Sequence, residues 1–205
     1  MESGSDLKLH IGSGALVRAG WVNIDSQPYP GVDSVLDVRE GLPFSNAKYI
    51  YAEHFLEHLG QIDGLKFLEE CRRVLSDDGV LRLSTPNLDW VWSTQYHPTQ
   101  WSGDADAIRE CFWLNRGFHG WGHQFLYNLQ TLRAVLRFAG FERVVSFRYG
   151  ESEDPHLRGL EQHETSLDTP ELPHIVIVEA SGRGMAAAAE GLQERIDEYS
   201  MCLSG

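Results

Sequence analysis

Several short stretches of this 205-residue chain combine residue types that can hold or act on a small ligand. His10-Ile11-Gly12-Ser13-Gly14 closes an apolar run that begins at Leu7, and paired glycines let a backbone turn tightly and approach a ligand closely. Asp25, eleven residues after Gly14, ends the run Trp21–Asp25. An acid at a strand end can accept hydrogen bonds from both hydroxyls of a ribose. Asp37 ends Ser34–Asp37, and Glu53-His54 follows Tyr49–Ala52. His54-Phe55-Leu56-Glu57-His58 matches the H-x-x-E-H pattern of inverted zinc peptidases. On a helix its two histidines would share a face, but zinc needs further ligands held rigidly, so no metal is expected. Downstream, His97, His119 and His123 are interleaved with ten aromatics between Trp90 and Tyr127. Flat rings suit sugars or aromatic acceptors, and histidine offers a base near neutral pH.

These residues need elements to hold them. Leu7–Ile11, Trp21–Asp25, Ser34–Asp37, Tyr49–Ala52 and Val80–Ser84 read as five short strands. Gln61–Leu75 reads as a helix with Ile62, Leu65, Leu68, Cys71 and Leu75 on its buried face, stopped by Ser76–Gly79. Asn128 and Gly140 are the expected cap and stop of a second helix bearing Leu132, Val135, Leu136 and Ala139. Phe141–Arg148 and His174–Ala180 read as the last strands, and Met185–Tyr199 as a surface helix with weak tertiary ties. Strands alternating with helices imply an α/β fold with a mostly parallel sheet, whose ligand lies outside the carboxyl ends of the strands. Glu151–Pro173, polar and proline-containing, reads as a long loop or mobile flap.

Composition limits the classes. Seventeen basic and thirty acidic residues give a formal charge of −13, which disfavours gripping nucleic acid through phosphates. Residues 151–205 carry twelve of the acids against three arginines. Five of six tryptophans fall between Trp90 and Trp121, a candidate binding surface, or a lid or contact in a homodimer. No apolar run is long enough for a bilayer, and no signal-peptide pattern follows Met1. Cys71, Cys111 and Cys202 form neither a disulfide framework nor a CxxC pair, which suits a cytoplasmic protein.

The blocks LHIGSG (9–14), GWVNID (20–25), DSVLDVREGLPF (33–44), YAEHFLEHL (51–59), FLEECRRVLSDDGVLRLSTPN (67–87) and LRFAGF (136–141) together resemble a class I S-adenosylmethionine-dependent methyltransferase. The resemblance is to the compact type, in which a short loop replaces the first helix. It implies a Rossmann-like sheet of about seven strands with an antiparallel last strand and helices on both faces. One domain would span residues 1–182: a cofactor half to about 90, an aromatic acceptor segment or lid at 90–127, and the flap. A helical tail, 183–205, would follow.

The resemblance also implies roles. His10, Gly12, Ser13 and Gly14 would lie at the methionine part of S-adenosylmethionine, Asp25 at the ribose, Asp37 and Val38 at the adenine, and Glu53 and His54 at the sulfonium side. His10 stands where the family often has an acid that helps hold the methionine ammonium. Glu57 and His58 would orient the loop and helix start. The acceptor expected is a small molecule or sugar, methylated on oxygen, with His119 or His123 as general base. Two alternatives share the sheet. One is a non-catalytic protein binding S-adenosylmethionine or S-adenosylhomocysteine. The other is an NAD-binding oxidoreductase, disfavoured by Val17 where G-x-G-x-x-G needs its third glycine.

Overall fold

A computed structural model of the protein describes residues 6–163, 171–184 and 191–203. Seven strands form one sheet: β1 (Lys8–Ile11), β2 (Val22–Asp25), β3 (Ser34–Val35), β4 (Ala47–Glu53), β5 (Leu75–Pro86), β6 (Phe141–Phe147) and β7 (Ile175–Arg183). Their order is β3-β2-β1-β4-β5-β7-β6. The first five are parallel, and β7 runs antiparallel to both β5 and β6. The chain leaves β1 towards β2 and β3, then crosses back to lay β4 on the other side of β1. The point where strand order reverses therefore lies between β1 and β4, where such sheets bind ligands. As expected, no helix joins β1 to β2.

Helix α1 (Gln61–Val74) makes the crossover from β4 to β5. Its buried face includes Leu65, Leu68 and Cys71, as the spacing predicts, but Ile62 is 40% exposed. At 100° per residue Ile62 falls off the edge of an arc centred on Leu68 and Cys71, and Phe67 and Val74 extend the opposite edge. Ser76–Gly79 does not separate helix from strand. β5 begins at once, with Leu75 opposite Ala47, and the polar residues loop out before Val80 meets Tyr49. Asn128 caps α4 (Leu129–Phe138) by accepting from Thr131 N at 2.9 Å. Helices α2 (Leu88–Gln95) and α3 (Asp104–His119) occupy the aromatic segment.

One sheet face, with Leu9, Ile11, Ile50, Ala52, Leu81, Leu83 and Val178, builds the main core under α1 and α4. Helices on both faces were expected; over β4 and β5 the second face is instead covered by the segment 150–163. Leu157 and Leu160 pack on Tyr49 and Tyr51, Asp154 accepts from Tyr49 Oη at 2.7 Å, and Glu161 pairs with Arg82. Described up to His163, this stretch is therefore a pinned strap rather than a loose flap; residues 164–170 of the expected flap lie outside the described residues. The tail helix α5 (Leu192–Leu203) is also better docked than its composition suggested. Ile196 enters the main core, and Tyr199 meets Phe125 edge-on at 5.4 Å.

Candidate functional site

The carboxyl ends of β1, β2 and β3 and the turn after β4 enclose a cavity of about 230 Å³. Gly12, Asp25, Leu36, Asp37, Val38, Phe55, His58, Leu59 and Gln124 are among its walls. Its position follows from local geometry. β1 ends in a turn with Gly12 at φ 66° and Gly14 at φ 52°, values that L side chains rarely adopt. Asp25 braces that turn, accepting from Gly14 N at 2.8 Å through one oxygen and from Gln27 N at 2.9 Å through the other. The eleven-residue spacing seen in the sequence is thus a direct hydrogen bond. A carboxylate has about four acceptor positions, so Asp25 keeps two for a ligand.

Asp37 caps the 3₁₀ turn Val38–Glu40 and accepts from Arg39 Nε at 2.9 Å. Hydrogen bonding to Arg39 holds its carboxyl below the usual range. Asp37, Val38 and Leu36 share one wall of the cavity, an acid beside two apolar side chains. Ser13 is buried beside the glycine turn, with an Oγ that has no hydrogen-bond partner.

Five residues implied for the cofactor are not in the cavity wall: Ser13 and Gly14, which belong to the turn itself, and His10, Glu53 and His54. His10 lies on the strap-side face of the sheet, with Nδ1 3.2 Å from Asn23 Oδ1 and its ring stacked on Tyr51 at 5.3 Å. Burial lowers its pKa against the opposing hydrogen bond to Asn23. Glu53 fastens the strap: it accepts from Tyr51 Oη at 2.9 Å and from the backbone N–H groups of Gln162 and His163 at 2.8 and 3.1 Å. Burial alone would raise the Glu53 pKa, but these bonds and His163 together bring it below the usual value. His54, at φ 47°, meets His163 in a tilted ring contact at 4.1 Å and sets Nδ1 3.2 Å from Glu57 Oε1.

The H-x-x-E-H stretch is not one helical face. Leu56–His58 forms a 3₁₀ turn, which sends His54 and His58 to different neighbours. Backbone bonds bring a distant segment to this turn: Gln124 N and Phe125 N donate to Glu57 O at 2.7 and 3.2 Å, and Gln124 Nε2 donates to His58 O at 2.6 Å. His123 thereby meets His58, ring centroids 5.3 Å apart. His119 is exposed at the end of α3 and joins neither His123's cluster nor the cavity wall. His58, Phe55, Leu59 and Gln124 are wall residues that sequence reasoning missed; the EHFLEHL block was the available signal for the first three, and Gln124 had none.

No family model matches the sequence, and no curated protein does. Solved structures do match in fold. A SAM-dependent methyltransferase from Archaeoglobus fulgidus superposes with TM-score 0.52 at 16% identity, over 86% of both chains. A possible histamine N-methyltransferase from Thermotoga maritima gives 0.52 at 12% identity, over 86% of this chain and 82% of that one. A structure of the Haloferax volcanii Trm112 methyltransferase activator with a putative methyltransferase gives 0.55 at 12% identity, over 88% and 83%. With the strand order, the antiparallel β7 and the cleft at the carboxyl ends, these likenesses give the chain the class I S-adenosylmethionine-dependent methyltransferase fold.

Proposed function

We propose that the protein binds S-adenosylmethionine in the cavity at the ends of β1–β4 and methylates an oxygen of a small-molecule or sugar acceptor. The observation that carries this reading is the pairing of Asp25 with the glycine turn. One carboxylate fixes Gly14 and keeps free acceptor positions in a cleft whose next strand end offers Asp37, Leu36 and Val38. The residues fit the cofactor: ribose hydroxyls against Asp25, adenine between the apolar wall and Asp37, and Ser13 Oγ unpaired at the turn. His10, Glu53 and His54 support this site from behind it, through Asn23, the strap and Glu57.

When bound, S-adenosylmethionine supplies an activated methyl group; the protein supplies placement. On the acceptor side we assign His123 rather than His119, because His123 sits beside His58 at the cleft. Trp121, 71% exposed with its ring 5.8 Å from that of His123, offers a flat face to a sugar. The exposed Ile108 and Phe112 of α3 suit contact between two copies, to be checked by sedimentation. No helix among the described residues is long and apolar enough to cross a membrane, and three free cysteines suit a reducing cytoplasm.

Calorimetry is the test. S-adenosylhomocysteine should bind and NAD should not, and Asp25→Ala should weaken binding by about tenfold or more, the cost of lost hydrogen bonds to a charged group. Equal binding of NAD, or an indifferent Asp25→Ala variant, would overturn the assignment. A labelled-methyl screen over sugars and phenols then separates an enzyme from a protein that only binds.

A further inference from the structure

Glu57, beside the cleft, is a fully buried carboxylate that no fixed cation meets among the described residues. Its side chain is 0% exposed, and no Lys or Arg among the described residues pairs with it. Thr85 Oγ1 donates to Oε2 at 3.0 Å, while Oε1, 3.2 Å from His54 Nδ1, has no hydrogen bond of good geometry. A buried carboxylate is costly unless a cation or several donors meet it. Donor atoms of Glu57, His58 and His123 all lie within 4.8 Å of one another.

The orientation of His123 gives an independent indication. Its Nδ1 is 3.0 Å from the carbonyl oxygen of Gly117. A carbonyl only accepts, so Nδ1 carries a proton, and in the neutral ring the lone pair is then on Nε2. Metal-ligating histidines commonly have this arrangement, with the second ring nitrogen donating to a carbonyl, and ligating carboxylates are commonly held by a further hydrogen bond as Thr85 holds Glu57. The absence of a third ligand argued against metal in the H-x-x-E-H stretch; the fold supplies it from His123, 65 residues away.

We propose that Glu57, His58 and His123 form a site for one divalent transition-metal ion, with an open coordination position towards the cleft that takes an oxygen of the acceptor. Two imidazoles and one carboxylate favour Zn²⁺ and its neighbours over Mg²⁺ or Ca²⁺, and three protein ligands leave a tetrahedral ion one free position. With bonds of about 2.0–2.2 Å, neighbouring donors in such a site stand about 3.4 Å apart. The side chains therefore need to close by no more than about 1.5 Å. An ion there would neutralise Glu57 and orient an acceptor hydroxyl, so His123 would act as a ligand rather than as a free base. The acceptor part of this inference rests on the methyltransferase reading; the metal site does not.

The test uses the full chain stripped with chelator, without cofactor, titrated with Co²⁺ by absorption and with Zn²⁺ by calorimetry. One equivalent should bind, with visible d–d bands and no thiolate charge-transfer band, and Zn²⁺ should raise the unfolding temperature. His123→Ala and His58→Ala should each weaken binding about 100-fold or more, and Thr85→Val about 10–100-fold. His119→Ala and a Cys111→Ser, Cys202→Ser double variant should bind as the parent does. Circular dichroism confirms that each variant is folded, and Thr85→Val keeps the test decisive if a ligand variant is not. Absence of binding overturns the site, as does binding unaffected by His123→Ala and Thr85→Val, or binding lost with the cysteines. Intact S-adenosylhomocysteine binding alongside absent metal binding refutes this site alone; the reverse refutes the cofactor reading alone.

Discussion

Two buried carboxylate clusters lie on opposite faces of β5, and the fold neutralises them in different ways. Arg82 and Thr85 are three residues apart, so they point to opposite faces. On the strap side, Arg82 Nε donates to Glu161 Oε1 at 2.7 Å and Nη1 to Glu179 Oε1 at 2.5 Å, with Gly150 N completing Glu161 at 3.2 Å. On the helix side, Thr85 reaches Glu57, whose other neighbours are histidines. The first cluster contains its own permanent cation and joins three parts of the chain. The second has donors arranged around a place where a cation is wanted. A structural ion pair and a binding site are thus told apart by whether the charge is settled within the chain.

The largest expected effect breaks the settled side. Arg82→Met leaves Glu161 and Glu179 buried without their cation and should cost about 3–5 kcal/mol of stability in denaturant unfolding. Replacing all three residues by apolar ones of similar volume should restore most of it, because the desolvation cost goes with the charges. If Arg82→Met alone were neutral, the strap would not be fastened by this cluster.

Next comes the turn that shapes the cleft. At Gly12 an added Cβ would lie 2.4 Å from Phe55 Cδ2, and φ there is 66°. Gly12→Ala should therefore cost about 1–3 kcal/mol, from backbone strain and the displaced ring, measured by thermal unfolding without ligand. Glu57→Gln should do much less to the metal-free protein, under about 1 kcal/mol either way. It removes a costly charge while leaving an oxygen for Thr85 to donate to. A large loss in metal-free Glu57→Gln would show that the chain already settles this charge, and the contrast between the two clusters would disappear.

The sequence revealed the two halves unequally. β1–β4 were legible because each positions its chemistry at its own end: Gly12, Asp25 and Asp37 are fixed by contacts within a few residues or one strand pairing. The Gly14–Asp25 bond spans eleven residues across the β1–β2 pairing. His123 was legible only as a residue type. Its partner Glu57 is reached through the bonds of Gln124 and Phe125 to Glu57 O, which no local pattern announces. Of the two alternatives for the strap, long loop or mobile flap, its described part is a long loop, and its anchoring was hidden for a related reason. Its acids look solvated in sequence, yet Asp154 and Glu161 meet Tyr49 and Arg82 from more than 75 residues away. Leu157 and Leu160, three apart in a polar stretch, were the available signal for its burial.

The smallest effect separates the two faces by pH. His10 shares the strap-side face with Arg82, as alternation along β1 and β5 requires, and burial is the main cause of its lowered pKa. A lowered pKa means that the folded state favours neutral His10, whereas the unfolded chain takes up a proton near pH 6.5. Its contribution to stability is therefore complete above that value and declines as the pH falls through and below it. Unfolding midpoints measured in chelator should fall with acidification from about pH 7.5 to pH 5.5, and His10→Gln should flatten that slope. Working in chelator matters, because a metal held by His58 and His123 would add a pH dependence of the same sign: acid protonates ligands and releases the ion. A slope that survives chelation and is reduced by His10→Gln belongs to the sheet face. A slope that chelation abolishes belongs to the other cluster, and would show that release of a bound ion, rather than the buried imidazole of His10, links this fold to pH.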